Sequence, residues 1–131
     1  MPRIMLLEDD ATFRDLVATA MRRAGYDVHA APDGQAGWDG LDKAAPELIL
    51  LDLAMPRMDG LSFLRRLRAH EKWGSVPVLV ISANSSAAEI AVTQGAQGYL
   101  LKSRFSMPEL QDSVRDILTA ADARKQRSSA A

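Results

Sequence analysis

The sequence predicts an α/β fold: a parallel sheet with helices on both faces, made by repeating β-α five times. Three observations carry this expectation. Short apolar runs of strand length alternate with segments whose apolar residues recur at helical spacing. Two of those runs, Glu47–Leu53 (ELILLDL) and Val76–Ser82 (VPVLVIS), are nearly continuous in apolar residues, as strands covered on both faces are. The length of 131 residues suits one domain with one core.

Arg3–Leu7 (RIMLL) is the first strand and stops at three acids, Glu8, Asp9 and Asp10. Phe13, Leu16, Val17, Ala20, Met21 and Ala24 then recur on one helical face, and Gly25 ends the pattern. Asp10 reads as the cap or dipole acid of that helix. Tyr26–Ala31 is a weaker second strand. Pro32 to Pro46 reads as one helix capped by Asp33, with Gly37 and Gly40 counting against it. Glu47–Leu53 is the central strand. Beyond the loop AMPRMDG, Leu61, Leu64 and Leu67 mark a helix reaching about His70. In the fourth strand, Val76–Ser82, Pro77 sits near the start, where no ladder bond is lost. SAAEIAVTQ is a short, weak helix, and Gly98–Lys102 is the fifth strand. Ser106 and Glu109 form a capping box for the last helix, with Pro108 in its first turn and Leu110, Val114, Ile117 and Leu118 as its buried stripe. The domain thus spans 1–120. Residues 121–131 lack an apolar pattern and are expected to form a disordered tail.

Bulk properties narrow the function classes. The net charge of -1 argues neither for nucleic acid nor for an anionic membrane. Without cysteine there is no disulfide, thiol catalysis or thiolate metal site, and a reducing cytoplasm fits. The first ten residues are no signal peptide, and no apolar run is long enough to span a bilayer. A cytoplasmic protein without membrane insertion is therefore expected. His29 and His70 have no partner motif and read as surface residues; Trp38 and Trp73 read as packing residues. RRLRAHEK and RKQR read as solvated charge without a recognition helix, so no direct nucleic-acid binding is expected.

Parallel strands bring their carboxyl ends to one edge, where ligands of such sheets bind. Glu8, Asp9 and Asp10 follow the first strand, Asp52 lies at the end of the third, Ser82 ends the fourth and Lys102 the fifth. Clustered carboxylates repel unless a cation sits among them, and a hard divalent ion such as Mg²⁺ suits oxygen ligands. Lys102 is a point charge for a phosphoryl oxygen, and Ser82 can donate to another. A carboxylate is a competent phosphoryl acceptor, and such transfer needs mainly positioning and charge neutralisation. Asp52, set among leucine and isoleucine residues at the cleft, is the expected phosphorylation site.

At these residues the sequence resembles the receiver domain of two-component response regulators, from about Arg3 to Ala120. The resemblance rests on LLEDD, ILLDLAMPRMDG, VISA and GAQGYLLK, each at a strand end and in order. It implies a flavodoxin-like doubly wound (βα)5 fold with strand order 2-1-3-4-5. It implies Asp52 as phosphoacceptor, Asp9 as direct Mg²⁺ ligand, Glu8 acting through water, and the Ala54 backbone carbonyl completing the metal site. Ser82 and Lys102 would face the phosphoryl group, and Ser82 and Tyr99 would be the switch pair. In the family a sensor histidine kinase or a phosphotransfer protein is the donor, and the switch is a population shift between two states. A receiver catalyses only its own phosphorylation and dephosphorylation and is otherwise no enzyme. Too few residues follow for an output domain, so a stand-alone unit signalling by protein contact is expected, as a monomer or a weak phosphorylation-dependent dimer. The alternative is a pseudo-receiver that binds proteins without phosphorylation.

Three departures from the family stand out. Ser103 replaces the proline that usually follows the lysine across a cis bond, leaving cis or trans open. The segment from Ser82 to Tyr99 is slightly short, so its helix is expected to be short or mobile. Ala54 and Asn84 occupy positions that tune phosphoryl lifetime in the family. Two other classes fit less well. A flavodoxin would need a glycine- and hydroxyl-rich loop where EDD stands, and a haloacid-dehalogenase-type phosphatase a second aspartate at Ala54.

Overall fold

The computed structural model describes residues 1–130, and side chains as far as Arg127. Five strands lie parallel in one sheet: β1 (Arg3–Leu7), β2 (Asp27–Ala31), β3 (Leu48–Leu51), β4 (Val78–Ser82) and β5 (Gly98–Leu101). Their order, β2-β1-β3-β4-β5, is the expected one. Helices α1 (Ala11–Arg23), α2 (Gly34–Asp39), α3 (Leu41–Ala44), α4 (Gly60–Arg68), α5 (Ser85–Thr93) and α6 (Met107–Ala130) cover both faces.

Alternation along the strands divides the interior in two. Met5, Leu7, Ile49, Leu51, Val78 and Val80 pack with Phe63, Leu64 and Leu67 of α4 and Ala88 and Ala91 of α5. Ile4, Leu6, Leu48, Leu50, Leu79 and Ile81 pack with Val17, Ala18 and Met21 of α1 and Leu110 and Val114 of α6. The single core expected from length is thus two half-cores separated by the sheet. Leu16, expected in the α1 stripe, is 54% exposed, because that helix turns Val17, Ala18 and Met21 to the sheet.

Local chemistry sets the helix ends. Asp10 Oδ1 accepts from Thr12 N and Phe13 N and starts α1; Gly25 supplies the positive φ of +99° after it. Asp33, Asp59 and Asn84 accept from the third residue beyond them and start α2, α4 and α5. The Ser106 hydroxyl accepts from Glu109 N, as the capping box predicts. The helix expected from Pro32 to Pro46 is two short helices, because Gly40 ends α2 before α3 begins. The nine-residue α5 is as long as α4, so the short segment before Tyr99 still forms a complete helix. The expected tail is helical through Ala130, with residue 131 outside the described residues. Ala121 and Ala123 are half-buried, and the alanine, arginine, lysine and glutamine there are strong helix formers.

Three strands stop earlier than their apolar runs suggest or stop at an acid, and this places the polar groups. Glu8 follows β1, Asp52 follows β3 and Lys102 follows β5, while Ser82 is the last residue of β4. Asp52 N still donates to Leu7 O at 3.0 Å and Lys102 N to Ser82 O at 2.9 Å, so both backbones remain tied to the sheet.

Candidate functional site

The strand ends surround a cleft of about 510 Å³ lined by Asp9, Asp52, Ala54, Arg65, Ser82 and Lys102 among others. Asp52 is buried at its base, 4% exposed, with Glu8 buried beside it and Asp9 exposed at the rim. Oxygens of Glu8, Asp9 and Asp52 lie within 4.8 Å of one another. The Lys102 ammonium donates to Glu8 Oε1 at 2.8 Å and lies 3.6 Å from Asp52 Oδ2. The other Glu8 oxygen accepts from Asp10 N at 3.1 Å, and the Arg14 guanidinium donates to the Glu8 carbonyl at 2.9 Å. Ala54 N donates to Asp52 Oδ1 at 3.3 Å.

One ammonium faces three carboxylates, and the electrostatics follow. Burial, then the Glu8 charge, push the Asp52 carboxyl up to about 7, against the opposing pull of Lys102 and the Ala54 N–H. Burial alone would lower the Lys102 ammonium, but its hydrogen bond to Glu8 and the charges of Asp52 and Glu8 leave it above the ordinary lysine value. The cluster is all-oxygen and under-neutralised, which is the donor set a hard divalent cation fits. Asp9 is the acid with an exposed side, and Glu8 has both oxygens engaged within the protein.

The Ser82 hydroxyl is buried and turned to its own loop: it accepts from Asn84 N at 3.0 Å and donates to Asn84 O at 3.2 Å. Tyr99 points outward from β5 and is 36% exposed. Every described peptide bond is trans, including Lys102–Ser103, and the turn after the lysine closes with Arg104 N donating to Leu101 O at 3.0 Å. Gly60 matters for the base of the cleft. A Cβ there would lie 2.5 Å from Asp52 O and 2.6 Å from Leu53 Cα, so only glycine lets α4 begin directly beneath Asp52.

Sequence reasoning missed one lining residue, Arg65, and one residue behind the lining, Phe13. Arg65 reaches the cleft from α4, where it read only as part of a charged run. Phe13 places its ring under the Lys102 ammonium, 4.8 Å from centroid to Nζ, where it read only as part of an apolar stripe. Its position in the first turn after the acids was the available signal. Trp38 packs edge-on to Phe63, and Trp73 donates to Asp42; neither lines the cleft. His70 Nδ1 accepts from Lys72 N and Trp73 N.

Residues 4–115 match the family model for the response regulator receiver domain. The chain belongs to that family. The receiver is 37% identical over 124 residues to the DNA-binding dual master transcriptional regulator RpaA of Synechocystis, covering 93% of this chain and 51% of that protein. It is 37% identical over 117 residues to the KDP operon transcriptional regulatory protein KdpE of Escherichia coli, covering 88% and 50%. Among solved structures it is similar to NtrX from Brucella abortus, with TM-score 0.91 and 26% identity, covering all of this chain and 30% of that one. It is also similar to the chemotaxis response regulator CheY4 of Vibrio cholerae, with TM-score 0.82 and 25% identity, covering 89% and 98%.

These relatives correct one expectation. A unit with no nucleic-acid role, signalling by protein contact alone, is not what they indicate: RpaA is DNA-binding, and KdpE is a transcriptional regulator. The chain spans about half the length of the curated relatives it matches. No described helix is long and apolar enough to cross a membrane.

Proposed function

We propose that this receiver accepts a phosphoryl group on Asp52, with Mg²⁺, from a phosphohistidine of a sensor kinase or phosphotransfer protein. We also propose that the modification governs the transcriptional output for which its relatives are named. The observation that carries the reading is Asp52 itself. It is a buried carboxylate at the end of the central strand, opening on a cleft, with one ammonium and two further acids around it.

An Asp52 carboxylate oxygen attacks phosphorus and forms the new O–P bond. The bond from phosphorus to the donor's nitrogen breaks, and its electron pair leaves with the imidazole. Lys102 faces the charge on the phosphoryl oxygens, and Ser82 has a hydroxyl to donate once it releases Asn84 O. Asp9, Asp52 and the Ala54 carbonyl would hold Mg²⁺, with Glu8 fixing Lys102 behind them. When bound, the ion supplies the neutralisation that one lysine cannot. Glu8 keeps the ammonium in place and Asp52 is the acceptor, so the two buried acids have different tasks. The receiver turns over no external substrate; its chemistry is the gain and loss of its own phosphoryl group. A cytoplasmic setting suits such a donor.

The test is incubation with Mg²⁺ and acetyl phosphate followed by intact mass, beside Asp52→Asn. A single phosphoryl adduct that needs Mg²⁺ and is absent from the variant supports the reading. No adduct, together with no response to beryllofluoride, overturns it.

A further inference from the structure

Lys102 stands at the edge of the sheet. β5 is the least covered strand of the sheet, with Tyr99 exposed and Leu100 and Leu101 half-buried. Beyond Lys102 the chain enters a turn through Ser103 on a trans bond. Its backbone is tied to Ser82 O, and the ammonium stands at the end of a flexible four-carbon stem whose place is set by what the ammonium meets. Three groups meet it: Glu8 Oε1 at 2.8 Å, Asp52 Oδ2 at 3.6 Å and the Phe13 ring at 4.8 Å from its centroid. The acids belong to the site already described, and the ring does not.

An ammonium within about 6 Å of a phenyl face is attracted by the ring quadrupole. This ring is itself held from two sides. Phe105, from the turn before α6, meets it edge-on, with centroids 6.0 Å apart and planes at 89°. Phe13 N donates to Asp10 Oδ1 at 3.3 Å, so the cap that starts α1 also fixes where the ring stands. The chemistry of the contact differs from that of the acids. A carboxylate that holds the ammonium also neutralises it. A phenyl face adds a hold without adding a third negative charge to those of Glu8 and Asp52.

We infer that Phe13, backed by Phe105, is a positioning residue for phosphoryl transfer, bracing the Lys102 ammonium beside Asp52 from the side that Glu8 leaves open. The inference rests on the phosphoacceptor reading above. The full chain is tested with Mg²⁺ and acetyl phosphate, reading the rate of adduct formation. Phe13→Leu slows it about three- to tenfold, with the Mg²⁺ concentration for half-maximal rate unchanged, and Phe13→Tyr restores it. Phenylalanine bearing one, two or more ring fluorines at position 13 keeps the shape and drains the quadrupole, so the rate falls stepwise with fluorine number. A flat fluorine series, or Phe13→Leu at the wild-type rate, overturns the inference, and the fluorine series holds even if Phe13→Leu folds poorly. A second readout needs no phosphoryl chemistry. The Lys102 ε-methylene protons shift upfield by ring current in the wild type and return to ordinary values in Phe13→Leu. Absence of that shift overturns the brace whatever the rates show. A wild type that shows the shift but neither takes a phosphoryl group nor responds to beryllofluoride supports the brace and overturns the phosphoacceptor reading instead.

Discussion

The proton on Asp52 makes the site's charge imbalance measurable. Unfolded, this carboxyl releases its proton near 3.8; folded, it keeps the proton to about 7. Between those values the folded chain binds the extra proton. The stability that this group contributes therefore falls as pH rises from about 4 to about 7, and stays at its lower level above. Asp52→Asn has no such proton. Its thermal midpoint should match that of the wild type near pH 4, then exceed it by a margin that grows to about pH 7 and is on the order of 10 °C at pH 8. Adding Mg²⁺ at pH 8 should shrink the margin, since the ion stabilises only the chain with all three carboxylates. A margin that ignores both pH and Mg²⁺ would show that these carboxylates do not repel. Lys102→Ala tests the opposite partner. It leaves the buried Glu8 carboxylate with the Asp10 backbone N–H as its one remaining donor among the described residues. Urea unfolding at pH 8 should record a loss of about 2–4 kcal/mol, larger than at pH 4. The acids, Ser82 and Lys102 were legible in sequence because each sits at a strand end, where parallel topology forces convergence. Phe13 was not, because its apolar spacing is equally that of a core residue; the lysine that makes it part of the site lies far along the chain.

Helix ends and loop contacts decide how firmly the cleft is built. α4 starts under Asp52 only because position 60 has no side chain, and the atoms that a Cβ would strike are backbone. Gly60→Ala should cost about 1–3 kcal/mol in urea unfolding. It should also lower adduct formation, because relief requires Asp52 or α4 to move; unchanged stability would mean that the loop shifts freely. The other end of α4 carries Arg68, whose guanidinium donates to the carbonyls of Gly74, Val76 and Gly95 and to Gln97 Oε1. Burial holds its pKa below the ordinary arginine value without removing its charge. It ties the loops before β4 and β5 to one helix end. Arg68→Met should therefore speed hydrogen exchange at Gly74–Val76 and Gly95–Gln97 while the Asp52 end stays protected. β1 was legible residue for residue, since its apolar run is bounded by acids. The α2–α3 break and the length of α6 were not. Gly40 is compatible with either a tolerated glycine or a cap, and α6 continues on helix propensity where apolar periodicity is silent.

Two half-cores back to back make the sheet the common wall of the molecule. Phe63 is the largest fully buried side chain and lies on the α4 face. Phe63→Ala should cost about 3–5 kcal/mol, a large part of the roughly 5–15 kcal/mol that holds a domain together, read as a lowered urea midpoint. Loss of near-ultraviolet signal from Trp38, which packs on Phe63, should accompany it. The strand order carries a different consequence, one of time. β1 pairs with β2 and β3, and β4 and β5 are then added outward in chain order. The three strands β2, β1 and β3 are thus complete in sequence by Leu51, before β4 and β5 are made, although a single domain folds as a unit. Glu8, Asp9 and Asp52 are gathered by those three strands, while Lys102 arrives with the last. The ribosome thus makes every carboxylate of the anionic nest at least 50 residues before the one lysine that lines it among the described residues, so any part of the nest that gathers early has only dissolved cations as counter-charge.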